Sequence, residues 1–95
     1  AITASKKTRR FFYIDDGDVY TEKDVVNSQG RNYRIDRLIV FSKEVWVIDY
    51  KSSPRLKDQY LAQINEYVKA INYVYPDKQT KGFLFYMDNI EIEEV

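Results

Sequence analysis

Apolar and polar residues alternate through positions 33–51, YRIDRLIVFSKEVWVIDYK, in the period-two pattern of half-buried strands. The pattern predicts a β-hairpin with arms over 31–41 and 45–51 and a turn centred on Lys43-Glu44. A preceding strand is expected over 19–26, with Asn27-Ser28-Gln29-Gly30 as the turn out of it. Ser52-Ser53-Pro54 breaks the second arm, and Pro54 suits the approach to a helix. Over 56–75 the period changes. Tyr60, Ile64, Tyr67, Val68, Ile71, Val74 and Tyr75 fall on one helical stripe, with Lys69 and Asn72 on the wet side. Pro76-Asp77 ends that helix. A strand follows over 80–87, apolar enough for the interior of a sheet, with Gly82 marking a close approach or bend. Asp88-Asn89 makes a turn, and 90–95 reads as a short edge strand with outward glutamates. The predicted order is three antiparallel strands, a long helix, and a strand returned by a crossover to lie parallel to a hairpin arm.

Three charged residues interrupt this pattern where alternation should supply core. Asp36 shares a face with Leu38 and Val40, and Asp49 and Lys51 share one with Val45 and Val47. The expected turn puts Leu38 opposite Asp49 and Asp36 opposite Lys51. The two acids are then diagonal neighbours, roughly 7 Å apart by Cα, a spacing at which they can hold one divalent cation. A one-residue slip would send Asp36 to the other face, so this hypothesis fixes the register. The competing reading is a buried charge network, but one ion pair accounts for one acid and leaves the second unneutralised. Glu22, within the first strand, reads as a solvated outer residue or as a third acid at the site. Gln63 and Tyr67, one helical turn apart, can reach over the sheet toward the acids.

Composition narrows the chemistry. Among the 95 residues there is no cysteine and no histidine, which removes thiolate and imidazole ligands and the usual general base. A metal must then be held by oxygen, which points to Mg²⁺, Mn²⁺ or Ca²⁺. Net charge is zero, so a basic footprint for nucleic acid is local: Lys6, Lys7, Arg9 and Arg10, then Lys51, Arg55 and Lys57. No apolar run approaches the ~20 residues of a membrane span. The missing cysteines fit a cytosolic setting. The chain is expected to form one domain over 1–95, with 1–10 as a polar, basic end. Phe11–Ile14 is an apolar knot that could close a helix beginning earlier. Asp15-Asp16-Gly17-Asp18 reads as a turn, since it lacks the spacing and terminal glutamate of an EF-hand.

Asp36-Arg37 on one strand, Asp49-Tyr50-Lys51 on the next, and Gln63 with Tyr67 on the helix resemble the PD-(D/E)XK nuclease superfamily in its RecB/AddA-like branch. The closing strand, GFLFYM, is also similar, and the resemblance covers about residues 19–95. It implies an α/β (α+β) restriction-endonuclease-like core: a mixed sheet of four to five strands, one long helix after the central hairpin, and an N-terminal helix truncated or missing. It implies a Mg²⁺- or Mn²⁺-dependent deoxyribonuclease, the C-terminal exonuclease module of a UvrD-type helicase-nuclease in bacterial DNA recombination and repair. The metal ligands would be Asp36, Asp49 and the Tyr50 carbonyl, with Glu22 as a candidate addition. Asp36, Asp49, Lys51, Gln63 and Tyr67 would be catalytic. The implied partners are DNA, helicase domains of the same parent chain and a second helicase-nuclease subunit, in the cytoplasm. Two departures stand out: Ile35 occupies a position where the family often has proline, and the upstream helix that carries a His or Glu in many members is cut off or reduced to 1–14, while Glu22 sits where related sequences also tend to have a glutamate. The alternative is a non-catalytic nuclease-fold module that grips DNA or docks a partner.

Overall fold

The structure, a computed structural model, describes residues 17–88 and 90–95. The Phe11–Ile14 knot, the basic cluster of 6–10, and Asp15 and Asp16 lie outside these residues. The elements are β1 (Asp18–Val26), β2 (Asn32–Val40), β3 (Glu44–Lys51), a 3-10 turn (Pro54–Leu56), α1 (Lys57–Val74), β4 (Gln79–Tyr86) and β5 (Glu91–Glu94). They build an α+β fold with one five-stranded mixed sheet in the order β1-β2-β3-β4-β5. Neighbours are antiparallel except β3 and β4, which run parallel because α1 carries the chain back across one face.

Local chemistry explains the connections. Asn27 Oδ1 accepts hydrogen bonds from the backbone N–H groups of Gln29 and Arg31 at 2.9 and 2.8 Å, and Gly30 supplies the positive φ of 81° that the turn requires. The central hairpin differs from the sequence expectation. Phe41 N–H donates to the Glu44 carbonyl at 2.8 Å, so the loop is Ser42-Lys43. Leu38 lies opposite Val47 rather than Asp49. The tighter loop keeps Val40 paired with Val45, gaining an apolar cross-strand contact. The displacement is two residues, so the paired residues Arg37–Val40 and Val45–Ile48 stay on their expected faces.

The helix side of the sheet buries Leu38, Val45, Val47 and Leu84 against Ile64, Tyr67, Ala70 and Ile71 of α1. Val74, expected on this stripe, stands exposed, while Ala70 lies inside it. A small side chain there lets the helix lie low over the sheet. Gly82 does the same from below: a Cβ at this position would stand 2.9 Å from Val68 Cγ2 and 3.2 Å from Ile64 Cγ1. On the other face Ile39, Ile48, Phe83, Phe85 and Ile92 form a second buried cluster. Trp46, expected in the core, is half-buried against it, with its ring edge-on to Phe83 at 5.3 Å.

One irregularity positions the site. Leu38 and Val40 belong to the helix side and Ile39 to the far side, as alternation demands. Tyr33 and Ile35 also belong to the helix side, so the phase breaks between Ile35 and Asp36. At the same level the β1–β2 ladder skips Glu22, whose φ of 51° is left-handed. The β2–β3 ladder ends at the Arg37–Ile48 pair. β2 therefore bends away from β3 at Asp36, the kind of strand defect that re-aims a side chain.

Candidate metal centre and active site

Where β2 leaves β3, the Asp36 side chain fills the opened rung. The Tyr50 N–H donates to Asp36 Oδ2 at 2.9 Å, a side chain standing in for the lost backbone partner. Extending the observed register places Asp36 level with Asp49, not diagonal to it. The two carboxyl groups are within hydrogen-bonding reach of each other. The direct opposition follows from the two-residue displacement of the hairpin.

Asp49 is 4% exposed, the one charged side chain buried among the described residues. Burial raises its pKa from 3.8 to about 6, and the adjacent Asp36 adds to the rise; the nearby Lys51 works against both. Lys51 Nζ stands 2.9 Å from Asp49 Oδ2, an ion-pair contact whose angles do not make a hydrogen bond. That oxygen is therefore buried with no donor aligned on it. The Lys51 ammonium offsets part of the cost of burying that oxygen, and its unfilled hydrogen-bonding capacity leaves the rest.

Helix α1 holds the lysine from above. Lys51 Nζ donates to Gln63 Oε1 at 2.7 Å and lies 4.8 Å from the centre of the Tyr60 ring. The Gln63 side chain lies beside the Tyr67 hydroxyl. Burial raises the pKa of Tyr67, the charges of Asp49 and Asp36 raise it further, and Gln63 works to lower it; the group stays a phenol at neutral pH. Of the expected pair, Gln63 reaches the lysine rather than the acids, and Tyr67 lies near enough for the charges of Asp49 and Asp36 to act on its hydroxyl. Tyr60 was expected only as core; its place three residues before Gln63 on the same helical face is the signal that links it to Lys51.

The expected Tyr50 carbonyl has a suitable position. Lys51 bonds toward β4, through its carbonyl and Met87 N–H at 2.8 Å, whereas Tyr50 N–H turns to Asp36. N–H and C=O of one strand residue point to the same edge, so the Tyr50 carbonyl faces the gap beside Asp36. Glu22 is exposed, and among the described residues no cluster of three or more Asp, Glu, His or Cys side chains forms. The β1–β2 register brings Glu22 level with Asp36, with its side chain exposed. Two carboxyl groups, one of them with a buried oxygen on which no donor is aligned, and a strand-edge carbonyl make an all-oxygen donor set that fits a hard cation of the Mg²⁺ or Mn²⁺ type.

Comparisons with protein-family models and with curated proteins give no match for the chain. Among the described residues no helix is long and apolar enough to cross a membrane.

Proposed function

We propose that this chain is a metal-dependent DNA nuclease module with a restriction-endonuclease-like core, of the RecB/AddA-like PD-(D/E)XK type. The observation that carries this reading is the meeting of Asp36, Asp49 and Lys51 on one side of the sheet, with an orphaned oxygen on Asp49. The element order supports it: three antiparallel strands, a helix, then a strand parallel to the one that carries Asp49 and Lys51.

Asp36, Asp49 and the Tyr50 carbonyl would hold Mg²⁺ or Mn²⁺. When bound, such an ion neutralises phosphate charge and makes a nearby water more acidic. The protein's own groups supply the rest. Lys51 brings a fixed positive charge to the side of the acid pair, where negative charge develops as water adds to phosphorus and the P–O bond to the leaving oxygen breaks. Gln63 and the Tyr60 ring hold that ammonium in place before substrate arrives, so little is lost to reorganisation. Tyr67, kept protonated, sets its hydroxyl beside Gln63. DNA is the proposed substrate, with helicase domains of a parent chain or a second helicase-nuclease subunit delivering it in the bacterial cytoplasm.

The test pairs Mn²⁺ titration calorimetry with cleavage of linear DNA in Mg²⁺. Lys51→Ala should keep Mn²⁺ binding while cutting falls on the order of a hundred- to a thousand-fold. Asp36→Ala and Asp49→Ala should lose both. A wild-type chain that takes up no Mn²⁺, and cuts nothing while still binding DNA, would instead be a docking module on a nuclease-like scaffold.

A further inference from the structure

Beside Gln63, on the side away from Lys51, lies a hollow of about 350 Å³ lined by Arg31, Tyr33, Ala62, Gln63, Glu66 and Tyr67. Its floor is aromatic. The Tyr33 and Tyr67 rings meet edge-to-face with centroids 5.5 Å apart, and the Arg31 guanidinium lies 5.4 Å from the centre of Tyr33. Tyr33 is half-buried and Arg31 exposed, so a planar surface is presented at the mouth. The Tyr33 hydroxyl donates to Glu66 Oε2 across a loose 3.4 Å.

We propose that this hollow is a nucleobase subsite for single-stranded DNA, with Tyr33 and Arg31 as the stacking platform. The inference rests on the nuclease reading and names the form of its substrate. Charge argues for a base here and not a phosphate: the Glu66 carboxylate, which accepts from Tyr33 through Oε2 and pairs with Lys69 at 3.5 Å through Oε1, stands in the lining and repels an anion. The same carboxylate is an acceptor for the exocyclic amine of a base, and a guanidinium or a phenol ring is a surface on which a base stacks. In a duplex those faces are already stacked, so the platform selects an unpaired strand. The Gln63 side chain both lines the hollow and accepts from Lys51, so the base that enters belongs to the nucleotide at the acid pair or its immediate neighbour.

The experiment is fluorescence anisotropy on the full chain in EDTA, with a short labelled oligodeoxycytidylate, whose bases carry an exocyclic amine, and a sugar-phosphate oligomer of equal length that lacks bases. The base-bearing strand should bind on the order of tenfold more tightly, as one stacked base gives. Tyr33→Leu should erase that difference and leave affinity for the baseless strand unchanged, and Tyr33→Trp should retain it. Arg31→Gln, at an exposed position with no folding risk, should narrow it. Equal wild-type affinity for the two strands, or a Tyr33→Leu loss shared equally by both, overturns the subsite. Mn²⁺ binding and cleavage measured in parallel separate the two readings: metal uptake and cutting without base dependence defeat only the subsite. Base-dependent binding without metal uptake or cutting defeats the nuclease assignment.

Discussion

Replacing Asp49 with asparagine should stabilise the metal-free protein above pH 6. The native pKa of Asp49 is raised to about 6 from 3.8, so between these values the folded state binds a proton that the unfolded state has released. Stability falls with pH wherever the native state binds more protons. The Asp49 contribution is therefore fully favourable below about pH 4 and is lost as pH rises through about 6. A rise of roughly two pH units corresponds to about 3 kcal/mol. Asparagine keeps the shape, carries no charge and escapes this loss. The assay is urea denaturation of wild type and Asp49→Asn in EDTA from pH 4 to 8. Other carboxylates titrate in both proteins, so the difference between them isolates Asp49. That difference should grow in favour of the variant by up to about 3 kcal/mol and level off above pH 7. Saturating Mn²⁺ should remove the advantage by stabilising wild type alone. A difference that stays flat with pH, or a variant less stable than wild type at pH 7.5 in EDTA, would refute the account of Asp49 as a buried acid awaiting a cation.

Two further outcomes follow from packing. Gly82→Ala should cost about 1–3 kcal/mol in chemical denaturation, because its methyl meets Val68 Cγ2 at 2.9 Å, Val95 Cγ2 at 3.0 Å and Ile64 Cγ1 at 3.2 Å. Tyr86→Phe should leave stability unchanged or raise it by up to ~1 kcal/mol in the same assay, since the Tyr86 hydroxyl is buried without a hydrogen-bond partner.

The faces of the sheet were legible because side-chain alternation survives a two-residue error: Asp36, Asp49 and Lys51 fall on the expected side although the hairpin loop is Ser42-Lys43. The direct opposition of the acids was not legible, since loop length, not alternation, sets it. The break of phase at Ile35-Asp36 has no signature in hydropathy, because apolar Tyr33 and Ile35 satisfy either face. The helix was clear, but Val74 stands exposed and Ala70 is buried: a stripe drawn from hydrophobicity favours valine, whereas the position closest to the sheet is filled by the smaller residue. Tyr60 was read as packing alone, because a ring under an ammonium looks like any other stripe residue until the sheet lies beneath it. Arg31 and Tyr33, at the start of a strand, gave no hint of a hollow that needs the helix as its second wall.

The bend in β2 sits at the residue that carries one of the two carboxyl groups, and beyond it β2 keeps only β1 as a ladder partner. The outer hairpin is not loose for that: Ile35 is fully buried under α1, and Tyr33 leans on Tyr67 of the same helix. The opened rung at Asp36 is thus braced from two directions, by the β1 ladder on one flank and by the helix overhead.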